Sequence, residues 1–227
     1  MNKCWHKMIP LAAALLLAAC SNLKPAAPMD YSAFKESDPK SILVLPPLNE
    51  SPDIKASAGM MTASVRPLAE AGYYVFPAAV VNETFQQNGL VNPAEIHEVQ
   101  LEKLRQIFGT DAVLYITVKQ YGTSYQVIQS DTRVTADARL VDARSGKELW
   151  SGSATASTAE QQNQNQGLAG MLLSAIVNQI VASVGDRAFD IAQITGARLL
   201  QAGPPRGILY GPRSPQYGQQ TAGAIAK

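Results

Sequence analysis

Along the chain the spacing of apolar positions changes character several times, and each change predicts a boundary. Met8 to Leu17 is apolar apart from Pro10, follows Lys3 and Lys7, and leads into the small residues before Cys20. That is the layout of a secretory signal, shorter than a bilayer span. Ser21 to Lys40 keeps no period and holds Pro25, Pro28 and Pro39, so it reads as a tether with local order near Tyr31 and Phe34. Ser41 to Leu48 is a β-branched and leucine-rich run stopped by Pro46 and Pro47, which predicts a buried strand. Asn49 to Pro52 is turn chemistry.

Helical spacing then alternates with short strands. A helix is expected over Lys55–Ser64; Pro67 cannot sit inside a regular one, so a turn should run from Pro67 to Gly72. Tyr73–Phe76 predicts a second strand, Ala79–Gln87 a helix stopped near Gly89, and Asn92–Gly109 one further helix opened by Asn92-Pro93. In the second half the period becomes two. Asp111–Gln120 is a dense strand, with Tyr121–Ser124 able to turn or bulge it. Val127–Val141 alternates, placing Val134, Ala136, Ala138 and Leu140 on one face and Arg133, Thr135, Asp137 and Arg139 on the other. Asp142–Gly146 is a tight turn, and Lys147–Thr155 returns. These strands predict a three-strand antiparallel meander.

Glu160–Gln166 reads as a polar loop. Leu168–Val184, which contains Leu172, is a helical segment without charge that continues through Ala188, Ile191, Ile194 and Leu199, with a kink expected at Gly185. It suits a helix laid over the sheet, with an oligomer face or a membrane span as alternatives; Ser174, Asn178, Gln179 and Ser183 weigh against the span. From Gly203 to Lys227, 9 of 25 residues are Gly or Pro. This tail should extend over the surface or remain mobile, although Ile208, Leu209, Tyr210 and Tyr217 are apolar features a plain linker does not need, so a docked tail or a partner-binding strand is the alternative. The expected architecture is a single α/β (α+β) domain, β-α-β-α-α-β-β-β-α, ending in a long C-terminal helix. Its divisions are a signal (1–19), a tether (20–40), the domain (41–202) and a tail (203–227).

Leu17-Ala18-Ala19-Cys20 resembles the lipobox of bacterial lipoproteins, in which the cysteine is acylated and the signal is cut before it. Processing would leave 208 residues, with 17 basic and 18 acidic side chains and a formal charge of −1. Nothing in that balance drives binding to nucleic acid or anionic lipid. Cys4 would be lost with the signal and Cys20 acylated, leaving no disulfide and no thiolate metal site in the mature monomer. Several acyl chains, at about 0.8 kcal/mol per buried methylene, anchor a protein without a transmembrane helix. Ser21 in place of an aspartate favours the outer membrane.

Candidate chemistry is sparse. His97 is the only histidine left after processing, and its charged surroundings predict a solvated side chain. No HExxH, Cys–His pair or phosphate-binding glycine loop is present, so no cofactor or metal is expected. Asp131, Asp137 and Asp142 fall on or beside one strand, interleaved with Arg133, Arg139 and Arg144. An acid/base pair is one reading and cross-strand ion pairing the simpler one; Asp142 suits a turn.

Ile42–Ser51, Pro67–Pro77 and Gly207–Pro215 resemble a family of Gram-negative lipoproteins that includes a neisserial surface-antigen candidate. The order of elements is also similar to the amino-terminal domain of TolB, a scaffold shared with curli-secretion lipoproteins and with lipoprotein activators of penicillin-binding proteins. The resemblance implies an outer-membrane lipoprotein serving an envelope transport or assembly complex, and it carries no catalytic residues. A non-enzymatic binding module is the leading expectation. The alternatives are an oligomeric channel component and a periplasmic hydrolase using aspartates. The contact surfaces expected are Tyr73 and Tyr74, Leu168 and Leu172, and the tail with Ile208, Leu209, Tyr210 and Tyr217. Partners would be the membrane through acylated Cys20, other envelope proteins, and a second copy of the chain.

Overall fold

A computed structural model describes residues 29–125, 130–163 and 186–219. Its centre is a six-stranded sheet of order β3-β1-β4-β5-β6, with β2 also paired to β4. The strands are β1 (Ser41–Val44), β2 (Leu48–Asn49), β3 (Tyr74–Val75), β4 (Ala112–Tyr125), β5 (Ser130–Asp142) and β6 (Glu148–Ser157). β3, β1, β2 and β4 make parallel pairs, whereas β4, β5 and β6 form the antiparallel meander that period-two spacing predicts. Leu114, Leu140 and Trp150 stand in one register across that meander. β4 does not turn at Tyr121: the register shifts between Val118 and Gln120, and the strand runs on to Tyr125.

Two helices, α2 (Ala56–Glu70) and α7 (Arg187–Leu199), pack against each other and the sheet. Val134, Ala136, Ala138 and Leu140 are buried as their alternation requires, and the Thr195 hydroxyl of α7 reaches Val134 O (3.3 Å). Between β3 and β4 come α3 (Ala78–Gln87), α4 (Pro93–His97) and α5 (Leu101–Phe108). Phe76, Phe85 and Phe108 pack there ring against ring. Arg133, Arg139, Ser151 and Ser153 stay exposed.

Four expectations change. α2 is one helix, with Pro67 inside it rather than at a break. The proline cannot donate to Ala63 O, and α7 passes close to that carbonyl: a methyl on Gly196 would lie 2.6 Å from it. The helix of 92–109 is instead two, because Val99 N–H reaches back to Ile96 O (3.2 Å) and Gln100 is extended (φ −58°, ψ 136°). The domain begins before residue 41. α1 (Ser32–Ser37) buries Phe34, and its Glu36 and Ser37 bond Lys147 and Asp142, so residues 29–40 belong to the fold. The polar stretch after β6 starts as a helix, α6 (Thr158–Asn163), with Asp131 Oδ1 accepting from Thr158 Oγ1 and Ala159 N–H (both 3.1 Å). A carboxylate at a helix start satisfies a donor the helix itself cannot.

The helix expected over Leu168–Val184, with its kink at Gly185, lies outside the described residues, and so does Cys20. No helix among the described residues is long and apolar enough to cross a membrane.

Candidate functional site

The Gly/Pro-rich tail is tied to the domain as far along as Tyr217, which bonds Asp38. α2 is followed by a turn at Gly72, whose φ of +99° is open to glycine and strained for other residues. The turn exposes two carbonyls, and the tail takes both: Gly211 N–H donates to Ala71 O (2.8 Å) and Arg213 N–H to Gly72 O (3.1 Å). Side chains are excluded from this crossing. A Cβ on Gly72 would sit 2.5 Å from Ser214 N, and one on Gly211 would sit 2.7 Å from Gly72 O. Upstream, Gly203 N–H bonds Ile208 O (2.8 Å) and Ile208 N–H bonds Gln201 O (3.1 Å), folding the tail back so that Ile208 and Leu209 enter the core.

Long-range side chains complete this clasp. The Tyr73 hydroxyl donates to Leu209 O (2.5 Å), Tyr31 to Gly207 O (2.6 Å), and Trp150 Nε1 to Arg206 O (2.8 Å). Burial pushes the Tyr73 hydroxyl well above its ordinary pKa, so it remains a donor. Tyr217 bonds Asp38 Oδ1 (2.6 Å), and that acceptor together with slight burial also raises its pKa.

The expected contact residues therefore divide. Tyr73, Ile208 and Leu209 are core positions and present no surface to a partner. Tyr210 is half-buried with its ring beside Gly203. Tyr74 and Tyr217 are each 42% exposed. Arg213, not singled out as a contact residue from the sequence, holds its guanidinium 5.5 Å from the Tyr74 ring centre, and Tyr74 meets Phe76 edge to face at 5.0 Å. The clasp thus shows solvent an aromatic and cationic surface over a sealed backbone crossing. Asp38 was silent in the sequence, and the alternation of its strand gave Trp150 a face shared with Gly152 and Ala154 but no partner. Leu168 and Leu172 lie outside the described residues.

The carboxylates do not make an acid/base pair. Asp131 and Asp137 are six positions apart on β5, about 20 Å at 3.3 Å per residue. Asp131 is committed to α6 and to Arg133 (3.0 Å); burial pushes its carboxyl up, but the Ala159, Arg133 and Thr158 hydrogen bonds outweigh it and hold the pKa low. Asp142 forms the turn as expected, accepting from Arg144 N–H (3.0 Å), Ser145 N–H (2.6 Å) and the Ser145 hydroxyl (2.8 Å). Burial would raise it; the bonds from Ser37, Ser145 and Arg144 prevail and lower it.

His97 is not the solvated residue expected. Its Nε2 lies 3.0 Å from Pro46 O, which can only accept, so Nε2 carries the hydrogen. The ring meets Tyr115 edge to face at 5.2 Å, and Arg139 covers Tyr115 at 4.4 Å. Burial lowers its pKa, which favours the neutral ring. The imidazole pins the strand end at Pro46 to α4.

Comparison with known proteins identifies what the chain is similar to. The family described as "Putative lipoprotein GNA1162-like" matches residues 29–213. A lipoprotein of Neisseria meningitidis serogroup B, NMB1124/NMB1162, is 57% identical over 206 residues, 91% of this chain and 95% of that protein. The crystal structure of lipoprotein GNA1162 from Neisseria meningitidis is 64% identical, with 64% of this chain and 100% of that one covered and a TM-score of 0.52. The C-terminal domain of LpoB from Salmonella enterica is 17% identical over 56% of this chain and 91% of that one, with a TM-score of 0.39.

Proposed function

The chain belongs to the GNA1162-like lipoprotein family, and from that membership we propose that it is an outer-membrane lipoprotein, acylated at Cys20, acting as a non-enzymatic contact module of an envelope transport or assembly complex. The anchor part of this reading rests on Leu17-Ala18-Ala19-Cys20 and the apolar run before it. The contact part rests on one observation: Pro67–Pro77 and Gly207–Tyr217, far apart in sequence, close on each other and leave Tyr74, Arg213 and Tyr217 outward. Exposed Tyr and Arg are the side chains that most often anchor protein contacts. Carboxylates committed to a turn, a helix start and an ion pair support a binding role over a hydrolytic one.

Affinity capture of the intact lipoprotein from membranes tests the reading, with wild type set against the Tyr74→Ala/Arg213→Ala variant. Both side chains are exposed, so the variant should unfold at the wild-type denaturant concentration yet lose its co-purifying envelope proteins. The same proteins recovered with both forms would remove this surface from the interface. Palmitate labelling of wild type and of Cys20→Ala tests the anchor.

A further inference from the structure

The point at which the chain leaves the fold toward Cys20 is fixed by hydrogen bonds. Met29 N–H donates to Pro205 O (3.3 Å), next to the bonds of Tyr31 to Gly207 O and of Trp150 to Arg206 O. Exposed Pro204, Pro205 and Arg206 therefore flank the exit. It lies at the level of Leu114, Leu140 and Trp150, close to the end of the sheet where α1 bonds Asp142. From that level β4 continues to Tyr125, about 35 Å further at 3.3 Å per residue. Eight residues separate Cys20 from Met29, and the nine steps between them reach at most about 30 Å. A domain held by so short a lead pivots about its exit, and the exit face is the one always within reach of the anchor.

The exit face also carries cations outside the ion pairs. Among the described residues Lys35 and Arg206, both exposed and near the exit, take part in none of the ion pairs, and nor do Lys40 and Arg213 at that end of the sheet. At the other end Asp53, Asp186 and Asp190 gather around Tyr121, raising its hydroxyl pKa after burial, and only Lys55 pairs with the group, through Asp186. Exposed Asp30 also sits on the exit face beside Lys35, so the short lead and the position of the exit carry the orientation, and Lys35 and Arg206 supply cations that a headgroup phosphate can meet.

Resting on the acylation of Cys20 proposed above, we propose that the face formed by Met29–Lys35 and Pro204–Arg206 lies against lipid headgroups. The Asn49–Lys55 loop and the far end of β4 and β5 then point away from the bilayer. This orientation is read by placing a fluorophore at Arg206→Cys, at Lys35→Cys or at Ile54→Cys. Each position is exposed (Ile54 by 91%), and Cys20 is the only other cysteine after the signal. The lipoprotein is reconstituted in phosphatidylethanolamine/phosphatidylglycerol vesicles containing headgroup spin-labelled lipid. Labels at positions 206 and 35 should lose most of their fluorescence and the label at 54 little. Arg206→Glu combined with Lys35→Cys should weaken the quenching at position 35. Protein that floats with the vesicles but is quenched equally at all three positions, or most at 54, overturns the orientation and leaves the anchor standing. Protein that carries no acyl chain and does not float overturns both.

Discussion

The clasp and the open face of β5–β6 are opposites in what they display and what they do. The tail is made of residues that read as linker, yet its Ile208 and Leu209 are buried and its backbone fills carbonyls left open at the end of α2. The open face carries the aspartates and arginines that read as chemistry, yet its best-placed carboxylate caps a helix and pairs with its neighbour two residues away. Residue type alone is therefore a poor guide to which region matters: buried contacts weigh on folding, and exposed charges screened by water weigh little.

Ile208→Ala tests that contrast most severely. With Ile208 fully buried, it should cost about 3 kcal/mol, read as a lower urea midpoint with an unchanged slope. A loss near zero would return the tail to a surface strand. Gly72→Ala should follow at about 2 kcal/mol, because it adds a Cβ at positive φ and 2.5 Å from Ser214 N. A fully stable Gly72→Ala would show that the crossing can move aside.

The aspartates extend the comparison to smaller effects. The Asp142 pKa is lower folded than unfolded, so its contribution is fully present above the ordinary carboxylate pKa. It is lost as pH falls through the folded value. The melting temperature of the wild type should therefore drop below about pH 4, and Asp142→Asn should be less stable at neutral pH and flatter across that range. Parallel curves for the two proteins would sink this assignment. Asp137, on the open face, should be replaceable by Asn within about 0.5 kcal/mol. A larger loss, or an accompanying loss of an activity, would restore chemistry to that strand.

Much of the fold was legible in the sequence. Period-two spacing in β5 reports directly on one buried and one wet face, and Ile42–Val44 announces a central strand by its β-branched, leucine-rich run. What escaped was set by distant partners. Pro67 reads as a breaker until Gly196 is seen at the carbonyl it leaves open. Phe34 in a proline-bearing tether and Ile208 in a glycine-rich tail hint at local order, but where each is buried shows only when α1 and the tail meet the sheet. His97 looks solvated because its acceptor, Pro46 O, is 51 positions away. At the candidate site Tyr74 was visible in an apolar stretch and Tyr217 as an aromatic residue in a Gly/Pro-rich tail. Arg213 over Tyr74 and the exclusion of side chains at Gly72 and Gly211 are purely tertiary.

The clasp also has a bearing on timing. Its bonds join residues 136, 176 and 179 positions apart: Tyr73 to Leu209, Tyr31 to Gly207 and Asp38 to Tyr217. Such closures come late, because the entropy of a large loop must be surrendered before the contact returns anything. During synthesis every strand of the sheet emerges before residues 207–217, so until they arrive Ile208 and Leu209 are missing from the core. A nascent chain is thus kept short of its final stability for as long as it is being made, the state in which a secretory polypeptide can still be threaded unfolded across a membrane.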